Sequence, residues 1–159
     1  LGVGTRTLTG SFAGGDGFAA SSGSRSLTVD RAATSTTISS VSPNNAVIGQ
    51  PVTVNVAVSV QAPGGGSPGA SVTVSGGSAG GACTIVLPAT SCQISFTSTG
   101  LRFLTATYSG DANYQGSTSA QASVSISRGA STLTPAPITP SPSIVGQPVT
   151  VGATVSATA

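Results

Sequence analysis

The sequence contains no His, Lys, Glu, Met or Trp, and its charged side chains are five Arg and three Asp. His, Lys and Glu supply most of the acids, bases and nucleophiles of enzyme sites, and only an Asp pair could serve here, so we expect no enzymatic activity. The arginines are scattered and form no basic stripe that could neutralise a phosphate backbone, so we expect no nucleic acid partner. They are Arg6, Arg25, Arg31, Arg102 and Arg128.

Long apolar runs are absent as well. No stretch reaches the ~18 apolar residues of a membrane-spanning helix, and no basic-then-apolar signal segment stands at the start. We therefore expect no membrane insertion in this segment and, for an exported protein, a signal outside it. The net charge of +2 and the mean hydropathy of +0.32 are unlike those of a disordered chain. The composition therefore predicts folded domains.

The chain repeats itself. Gly-Gln-Pro-Val-Thr-Val at residues 49–54 returns at residues 146–151, and Leu-Thr-Gly-Ser-Phe at residues 8–12 has a counterpart in Leu-Thr-Ala-Thr-Tyr at residues 104–108. The period of about 97 residues is the size of one small β-sandwich domain, so we expect a window from a longer tandem array. It would hold the C-terminal part of one repeat, one complete repeat and the N-terminal part of the next. These predicted units are residues 1–31, 32–128 and 129–159.

Apolar residues alternate with small polar ones, which is the pattern of half-buried strands. Val recurs at every second position from Val52 to Val60 and predicts one strand with a buried and an exposed face. Turns rich in Gly, Pro and Asn separate the strands, and the whole pattern predicts an all-β, antiparallel sandwich. The four prolines from Pro135 to Pro142 predict a short or edge strand in the third unit. The strands predicted for the complete repeat are about 34–41, 51–60, 70–75, 82–87, 92–98, 101–109 and 119–127.

One stretch carries a specific resemblance. Residues 103–118 contain Thr-Ala-Thr-Tyr-Ser-Gly-Asp, and Val-Ile-Gly-Gln-Pro-Val-Thr precedes them at residues 47–53. Together they resemble a bacterial immunoglobulin-like (Ig-like) repeat. The resemblance implies an Ig-like β-sandwich, tandem modules in large secreted or surface-attached proteins of the adhesin type, and no catalytic residue. The first unit departs from the signature, with Phe-Ala-Gly-Gly-Asp-Gly-Phe at residues 12–18.

Cys83 and Cys92 flank a stretch that we interpret as a strand, a turn and the start of another strand. A hairpin would bring them opposite each other, so we predict a disulfide; two free buried thiols, or a metal or redox role, are the alternatives. Two thiolates without His or further Cys cannot fill a tetrahedral metal site. With four Phe and two Tyr the core is thin, and a disulfide in an oxidising compartment is a common compensation, so we expect an extracellular or cell-surface location. The short spacing differs from that of the buried inter-sheet bridge of antibody domains.

The acidic residues Asp16 and Asp111 occupy equivalent places in two copies. Asp30 is the third and last carboxylate side chain, and three carboxylates are too few for a calcium site. We therefore expect no metal or cofactor, and an Asx-type turn in which the carboxylate accepts main-chain N–H groups.

The aromatic residues recur in register, since Phe12 matches Tyr108 and Phe18 matches Tyr114. Recurrence favours a packing role, with the Tyr hydroxyls anchoring a turn, over stacking on sugars. Phe103, like the remaining Phe, falls in a strand pattern. A glycan or cell-surface ligand is therefore the alternative rather than the first choice.

Low charge leaves the sheet edges without the charged residues that oppose association in natural sheets. The predicted function is therefore a structural Ig-like module of an extracellular bacterial filament, stalk or adhesin shaft. Its partners would be neighbouring Ig-like repeats, through homo-oligomeric or filament contacts made by inter-domain or inter-chain strand packing. Linkers near residues 31–33 and 128–130 would set the angle between units. A ligand- or glycan-binding adhesin module and a phage virion decoration domain are the alternatives.

Overall fold

A computed structural model describes residues 2–77 and 81–157 of the chain. Leu1, residues 78–80 and residues 158–159, which belong to the three predicted units, lie outside the described residues. The described residues form strands and no helix, which confirms the all-β prediction, and none of them belongs to a helix that could cross a membrane. The strands are β1 (Gly4–Phe12), β2 (Ser21–Val29), β3 (Thr34–Ser42), β4 (Asn45–Val47), β5 (Val52–Val60), β6 (Ser71–Ser75), β7 (Ala82–Val86), β8 (Ser91–Ile94), β9 (Gly100–Tyr108), β10 (Ser117–Thr118), β11 (Ala122–Ser127), β12 (Ser131–Pro135) and β13 (Ala153–Ala157).

Strands β3 to β11 form two sheets with a shared core between them. The smaller sheet has the order β3-β5-β8, and the larger has the order β4-β11-β9-β6-β7, with β10 added beside β9. Neighbouring strands run antiparallel except β4 and β11, which are parallel. The chain passes from the smaller to the larger sheet between β3 and β4, so one segment covers an edge of each sheet. This is the Ig-like sandwich that the sequence predicts.

The observed strands differ from the predicted ones in three places. Strand β8 ends at Ile94, β4 was not predicted, and the strand predicted at residues 119–127 begins only at Ala122, as β11, with the unpredicted short strand β10 before it. Ser119, which lies between β10 and β11, is a buried polar residue. Its Oγ accepts the Ala106 N–H (3.0 Å) while its own N–H donates to Ala106 O (2.9 Å). The hydroxyl thus satisfies a main-chain donor inside the sandwich, where an unpaired donor would be costly.

The core lies between the two sheets and follows the alternation read from the sequence. Val52, Val54 and Val56 are buried, and Val58 and Val60 are half-buried toward the end of β5. Branched aliphatic side chains supply most of the core, which suits strands because such side chains pack well on a pleated surface. The buried apolar residues are Ala46, Val52, Val54, Val56, Val72, Val74, Ile85, Ile94, Phe96, Leu104, Ala106, Tyr108, Val124 and Ile126.

Strands β12 and β13 form a separate two-stranded hairpin after the sandwich. Ser131 pairs with Ala157, as Thr34 pairs with Val60 one repeat period earlier, and every other pair of the hairpin matches a pair of β3 and β5 in the same way. Strand β12 ends at Pro135, in agreement with the short strand expected from the prolines.

Strands β1 and β2 form a second hairpin before the sandwich. Phe12 pairs with Ser21, as Tyr108 pairs with Ser117 in β9 and β10 one period later. One face of this hairpin carries only Ser and Thr, while the other carries the exposed Leu8 and Phe12. Alternation along the strands separates the two faces.

Candidate functional site

The turn that follows β9 gathers four hydrogen bonds on the carboxylate of Asp111. Its Oδ1 accepts the N–H groups of Asn113 (2.8 Å) and Tyr114 (3.0 Å). Its Oδ2 accepts the N–H of Gly69 (3.0 Å) and the hydroxyl of Tyr108 (3.1 Å). The first pair is the Asx-type turn that the sequence predicts. The second pair ties the turn to the loop before β6 and to the buried end of β9.

These bonds also set the protonation of the two side chains. The N–H groups of Asn113 and Gly69 hold the pKa of the Asp111 carboxyl below its ordinary value of 3.8. Burial, together with the hydrogen bond to Asp111, raises the pKa of Tyr108 to about 12. An ionised acceptor and a neutral donor are therefore favoured over a wide range of pH.

Gly110 makes the turn sterically feasible. Its φ is +78°, and a Cβ there would lie 2.7 Å from the Gly116 nitrogen and 2.8 Å from the Tyr114 carbonyl oxygen. A larger residue would be strained in this conformation and would also clash with backbone. The glycine of the Ser-Gly-Asp signature is therefore required by the backbone conformation of the turn.

The same turn binds the linker that arrives from β2. The Ala32 N–H donates to Asn113 O (2.9 Å), and Ala32 O accepts the Gln115 N–H (2.9 Å). The Gln115 side chain donates from Nε2 to Arg31 O (3.3 Å). The predicted linker at residues 31–33 is thus tied to the turn by an isolated parallel β-bridge between Ala32 and Tyr114. We call this set of contacts the joint.

Tyr114 extends the joint to the loop between β5 and β6. Its hydroxyl donates to Gly65 O (3.0 Å), and a Cβ on Gly66 would collide with that hydroxyl. A cleft of about 420 Å³, lined by Val3, Val29 and Tyr114 among others, separates the end of the β1–β2 hairpin from this pole of the sandwich. Tyr114 therefore lies at the pole of the sandwich that faces the β1–β2 hairpin.

Hydroxyl groups secure the start of β3 to the same region. Thr34 Oγ1 donates to Gln115 O (2.7 Å) and lies 2.8 Å from Ser117 Oγ, which also lies 2.7 Å from Thr36 Oγ1. Thr34 and Thr36 are buried, so these bonds satisfy polar groups that water does not reach.

Cys83 and Cys92 form a disulfide with their Cα atoms 6.0 Å apart. We predicted this disulfide from a hairpin in which the strands of the two cysteines pair with each other, and that hairpin does not form. Strand β7 pairs with β6, and β8 pairs with β5. The segment between the cysteines crosses from one sheet to the other instead of turning back. The Leu87 N–H still donates to Ala70 O beside the larger sheet, whereas Thr90 O accepts the Val56 N–H of the smaller one.

The disulfide therefore joins the edge strands β7 and β8 of the two sheets. Like the bridge of antibody domains, from which its short spacing distinguishes it, this disulfide connects the two sheets. Its place differs, since it closes an open edge of the sandwich with half-buried cysteines rather than crossing the middle of the core.

The first unit does not reproduce the carboxylate turn. The Gly15 N–H donates to Phe18 O (3.1 Å), as the Asp111 N–H donates to Tyr114 O (3.0 Å), so Gly15 is the counterpart of Asp111. Asp16 lies one position later, and the expected equivalence of Asp16 with Asp111 is wrong. The two turns have the same length, since six positions separate Phe12 from Phe18 and Tyr108 from Tyr114, so counting from the aromatic residues gives the shift from the sequence alone.

The aromatic residues also divide between the units. Tyr108 is buried and Tyr114 half-buried, as a packing role requires, whereas Phe12 and Phe18 are 51% and 74% exposed. Phe103 is 51% exposed as well, and it lines a shallow groove of about 310 Å³ on the outer face of the larger sheet. Its outward position follows from alternation with buried Leu104, a signal that the sequence contained.

Across the described part of the chain, no group of three or more His, Cys, Asp or Glu side chains is placed to hold a metal ion. Asp111 uses both carboxylate oxygens within the fold. What this arrangement does chemically is hold a turn, a linker and two sheet edges in place.

A family model of the bacterial Ig-like domain (group 3) matches residues 38–127, which is more than half of the chain. Comparison of the chain with curated proteins gives no match. The matched range runs from within β3 to the end of β11, so it includes both sheets, the Asp111 turn and the disulfide. Such domains are generally non-catalytic structural modules, and together with a disulfide they are typical of extracellular or surface proteins. The chain belongs to the bacterial Ig-like domain (group 3) family.

Proposed function

We propose that the chain is a structural, non-enzymatic module of an extracellular bacterial filament, stalk or adhesin shaft, in which Ig-like units succeed one another stiffly. The observation that carries the proposal is the joint, where main-chain hydrogen bonds on both sides of Ala32 fix the linker to the pole of the sandwich. A flexible tether would need no such bonds.

The registers of the flanking hairpins support the tandem arrangement in units 1–31, 32–128 and 129–159. The Gln50 side chain accepts the Val47 N–H (3.0 Å), and the Gln147 side chain accepts the Ile144 N–H (3.2 Å) one period later. Gly49 and Gly146 have nearly the same φ, +82° and +86°. The third unit thus begins with the strand pairing and the turn with which the complete unit begins.

The disulfide supports a location outside the cytoplasm, because such bonds persist in oxidising compartments. It also supports a mechanical role. When the module is pulled from its ends, the segment between Cys83 and Cys92 cannot extend. At ~3.5 Å per residue, and allowing for the 6.0 Å between the two Cα atoms, the bond withholds about 25 Å of contour length.

Amide ¹⁵N relaxation of the whole chain tests the stiffness of the joint. We expect β1 and β2 to tumble with the sandwich, and we expect Ala32→Pro, which removes the N–H that donates to Asn113 O, to release them. Ala33→Pro is the matched control, because Ala33 contributes its carbonyl oxygen, to the Gln61 N–H, and Pro keeps that group. Independent tumbling of the hairpin in the unmodified chain would overturn the proposal.

A ligand-binding adhesin module is the second candidate, and one observation favours it. The exposed ring of Phe103 stands in a groove with the hydroxyls of Ser75 and Thr105 and the amide of Gln121, a combination that suits a sugar. Binding on a glycan array that Phe103→Ala abolishes would support this function. Binding that survives the substitution, or none, would argue against it.

A further inference from the structure

Strand β5 is covered along one edge and only partly covered along the other. On one side it pairs with β3 from Thr53 to Val60. On the other side it pairs with β8 from Val52 to Asn55, and the last bond there runs from the Val56 N–H to Thr90 O (2.8 Å). Beyond Val56, the described residues place no strand on this side. The complete sandwich therefore has an open edge along residues 57–60.

A groove of about 340 Å³ runs beside the open edge. Its lining includes the half-buried side chains of Val58, Val60 and Leu87 and contains no charged residue. The groove shares no lining residue with the cleft that faces the β1–β2 hairpin, so the edge and the joint are separate surfaces. An apolar groove beside unpaired main-chain groups is a setting in which another strand can add to a sheet.

Main-chain direction determines what the edge offers. Because the Val56 N–H points away from β3 and main-chain groups alternate along a strand, the N–H and C=O groups of Val58 and Val60 also point to the open side. The groups of Ser59 point to β3. In agreement, the Gln61 N–H donates to the carbonyl oxygen of the residue that precedes β3 (2.9 Å).

This edge is complementary to itself. When two copies meet in antiparallel orientation with Ser59 opposite Ser59, Val58 of each copy lies opposite Val60 of the other. Both of these residues point to the partner, so each such pair exchanges both of its N–H···O bonds. Their side chains lie on the same face of the joined sheet, so the Val60 side chain of one copy reaches the groove of the other.

We infer that two copies of the chain associate through this edge, β5 against β5, about a two-fold axis at Ser59. A two-fold contact of this kind uses the same surface patch on both partners, as the commonest homodimers do. Strands β3, β5 and β8 contain no charged residue and neither does the groove, so the association buries no charge and meets no repulsion. The product is a continuous sheet with the order β3-β5-β5-β3.

The orientation of β5 sets the direction of the two chains. The strand ends at Val60, which pairs with Thr34 beside the joint, so it runs toward the pole that carries the linker from β2. Antiparallel pairing therefore places two shafts side by side in opposite directions, as shafts from two facing surfaces would lie. The inference rests on the proposed function for this role and deepens it by naming the partner of the shaft, which is a second copy.

Crosslinking at the two-fold axis tests the inference. The two Ser59 residues would form a non-hydrogen-bonded pair, whose Cα atoms lie about 4.5 Å apart, within the range of a disulfide. Ser59→Cys should therefore give a covalent dimer under mild oxidation, with peptide mapping to check that the Cys83–Cys92 bond is retained. Ala57→Cys is the matched control. It is exposed on the same face of the same strand, but its two copies would lie ~13 Å apart at ~3.3 Å per residue, too far for a disulfide.

Sedimentation velocity and amide exchange of the unmodified chain give a second readout. We expect association that rises with concentration. With nine-tenths of the chain associated, exchange at Val58 and Val60 should be roughly tenfold slower, because only free chains exchange there. Ser59→Lys, which places two like charges opposite each other, should abolish both effects. Thr84→Lys, on the exposed face of β7, should change neither.

Three results would overturn the inference. They are a chain that stays monomeric at high concentration, equal crosslinking of the two cysteine variants, and association that leaves Val58 and Val60 unprotected. None of them bears on the relaxation test of the joint, so the inference and the proposed function fail separately.

Discussion

Replacement of both cysteines tests how much the module depends on its disulfide. The bond closes a loop with a sequence separation of 9, and in the chain-entropy model a loop of this length restricts the unfolded chain by about 2.6 kcal/mol at 25 °C. Both side chains are only half-buried, so Cys83→Ala with Cys92→Ala removes little core volume. We therefore expect the free energy of unfolding to fall by roughly 2.5 kcal/mol.

The inter-sheet position adds a second expectation. Since β7 and β8 belong to different sheets and share no ladder, the disulfide is their covalent link at this edge, and its loss should let the edge open before the rest unfolds. Amides of β7 and β8 should then exchange faster than those of β9, which is central in its sheet.

Urea unfolding followed by far-ultraviolet circular dichroism is the appropriate assay, because the chain has no Trp to report by fluorescence. The oxidised chain, the reduced chain and the double variant should be compared, with Thr84→Ala combined with Ser91→Ala as a control in the same two strands. These exposed residues should change the free energy by less than about 0.5 kcal/mol. A loss below about 1 kcal/mol in the double variant would refute the entropic reasoning.

Three further predictions concern the turn and the core. The stabilisation from Asp111 should be complete above the pKa of its unfolded state, near 3.8, and should disappear as the pH falls through the lower pKa of the folded state. In thermal melts between about pH 6 and pH 2, Asp111→Asn should therefore show a weaker dependence of stability on pH. Tyr108 should give the opposite pH dependence, on the alkaline side. Because the fold raises the pKa of Tyr108 from 10.0 to about 12, its contribution to stability should decline as the pH rises above 10.0. Leu104→Ala, at a fully buried position, should cost about 2–5 kcal/mol in urea unfolding, whereas Leu101→Ala, 58% exposed on the same strand, should cost less than about 0.5 kcal/mol.

The sandwich could be predicted from the sequence because apolar and polar residues alternate along its strands, and this alternation indicates which side chains are buried. In β5 every second residue is Val, and the buried and exposed faces follow from a period of two. The Asp111 turn was also predictable, since Asp after Gly has a local preference for accepting nearby main-chain N–H groups. Both inferences need only neighbours along the chain.

The inferences that failed needed distant neighbours. Cys83 and Cys92 are close in sequence, and a hairpin was the simplest way to bring them together, but their strands find partners in different sheets. The joint could not be predicted either, because its bonds at Ala32 use main-chain groups that any residue carries. Side-chain types gave no signal for contacts that backbone geometry makes.

The scarcity of charge gives the edges of this sandwich their importance. Most domains can place Lys or other charged residues on an exposed edge, and the strands β3 to β8 contain none. The edges of β7 and β8 are instead short and joined by the disulfide, and those of β3 and β4 belong to one segment that crosses between the sheets. The C-terminal end of β5 has neither protection, because β8 pairs with β5 only as far as Asn55, and the Cys83–Cys92 bond lies before the uncovered stretch. Among the described residues, the stretch of β5 from Val58 to Val60 is therefore a sheet edge that neither a charged side chain, the disulfide nor the crossing segment protects.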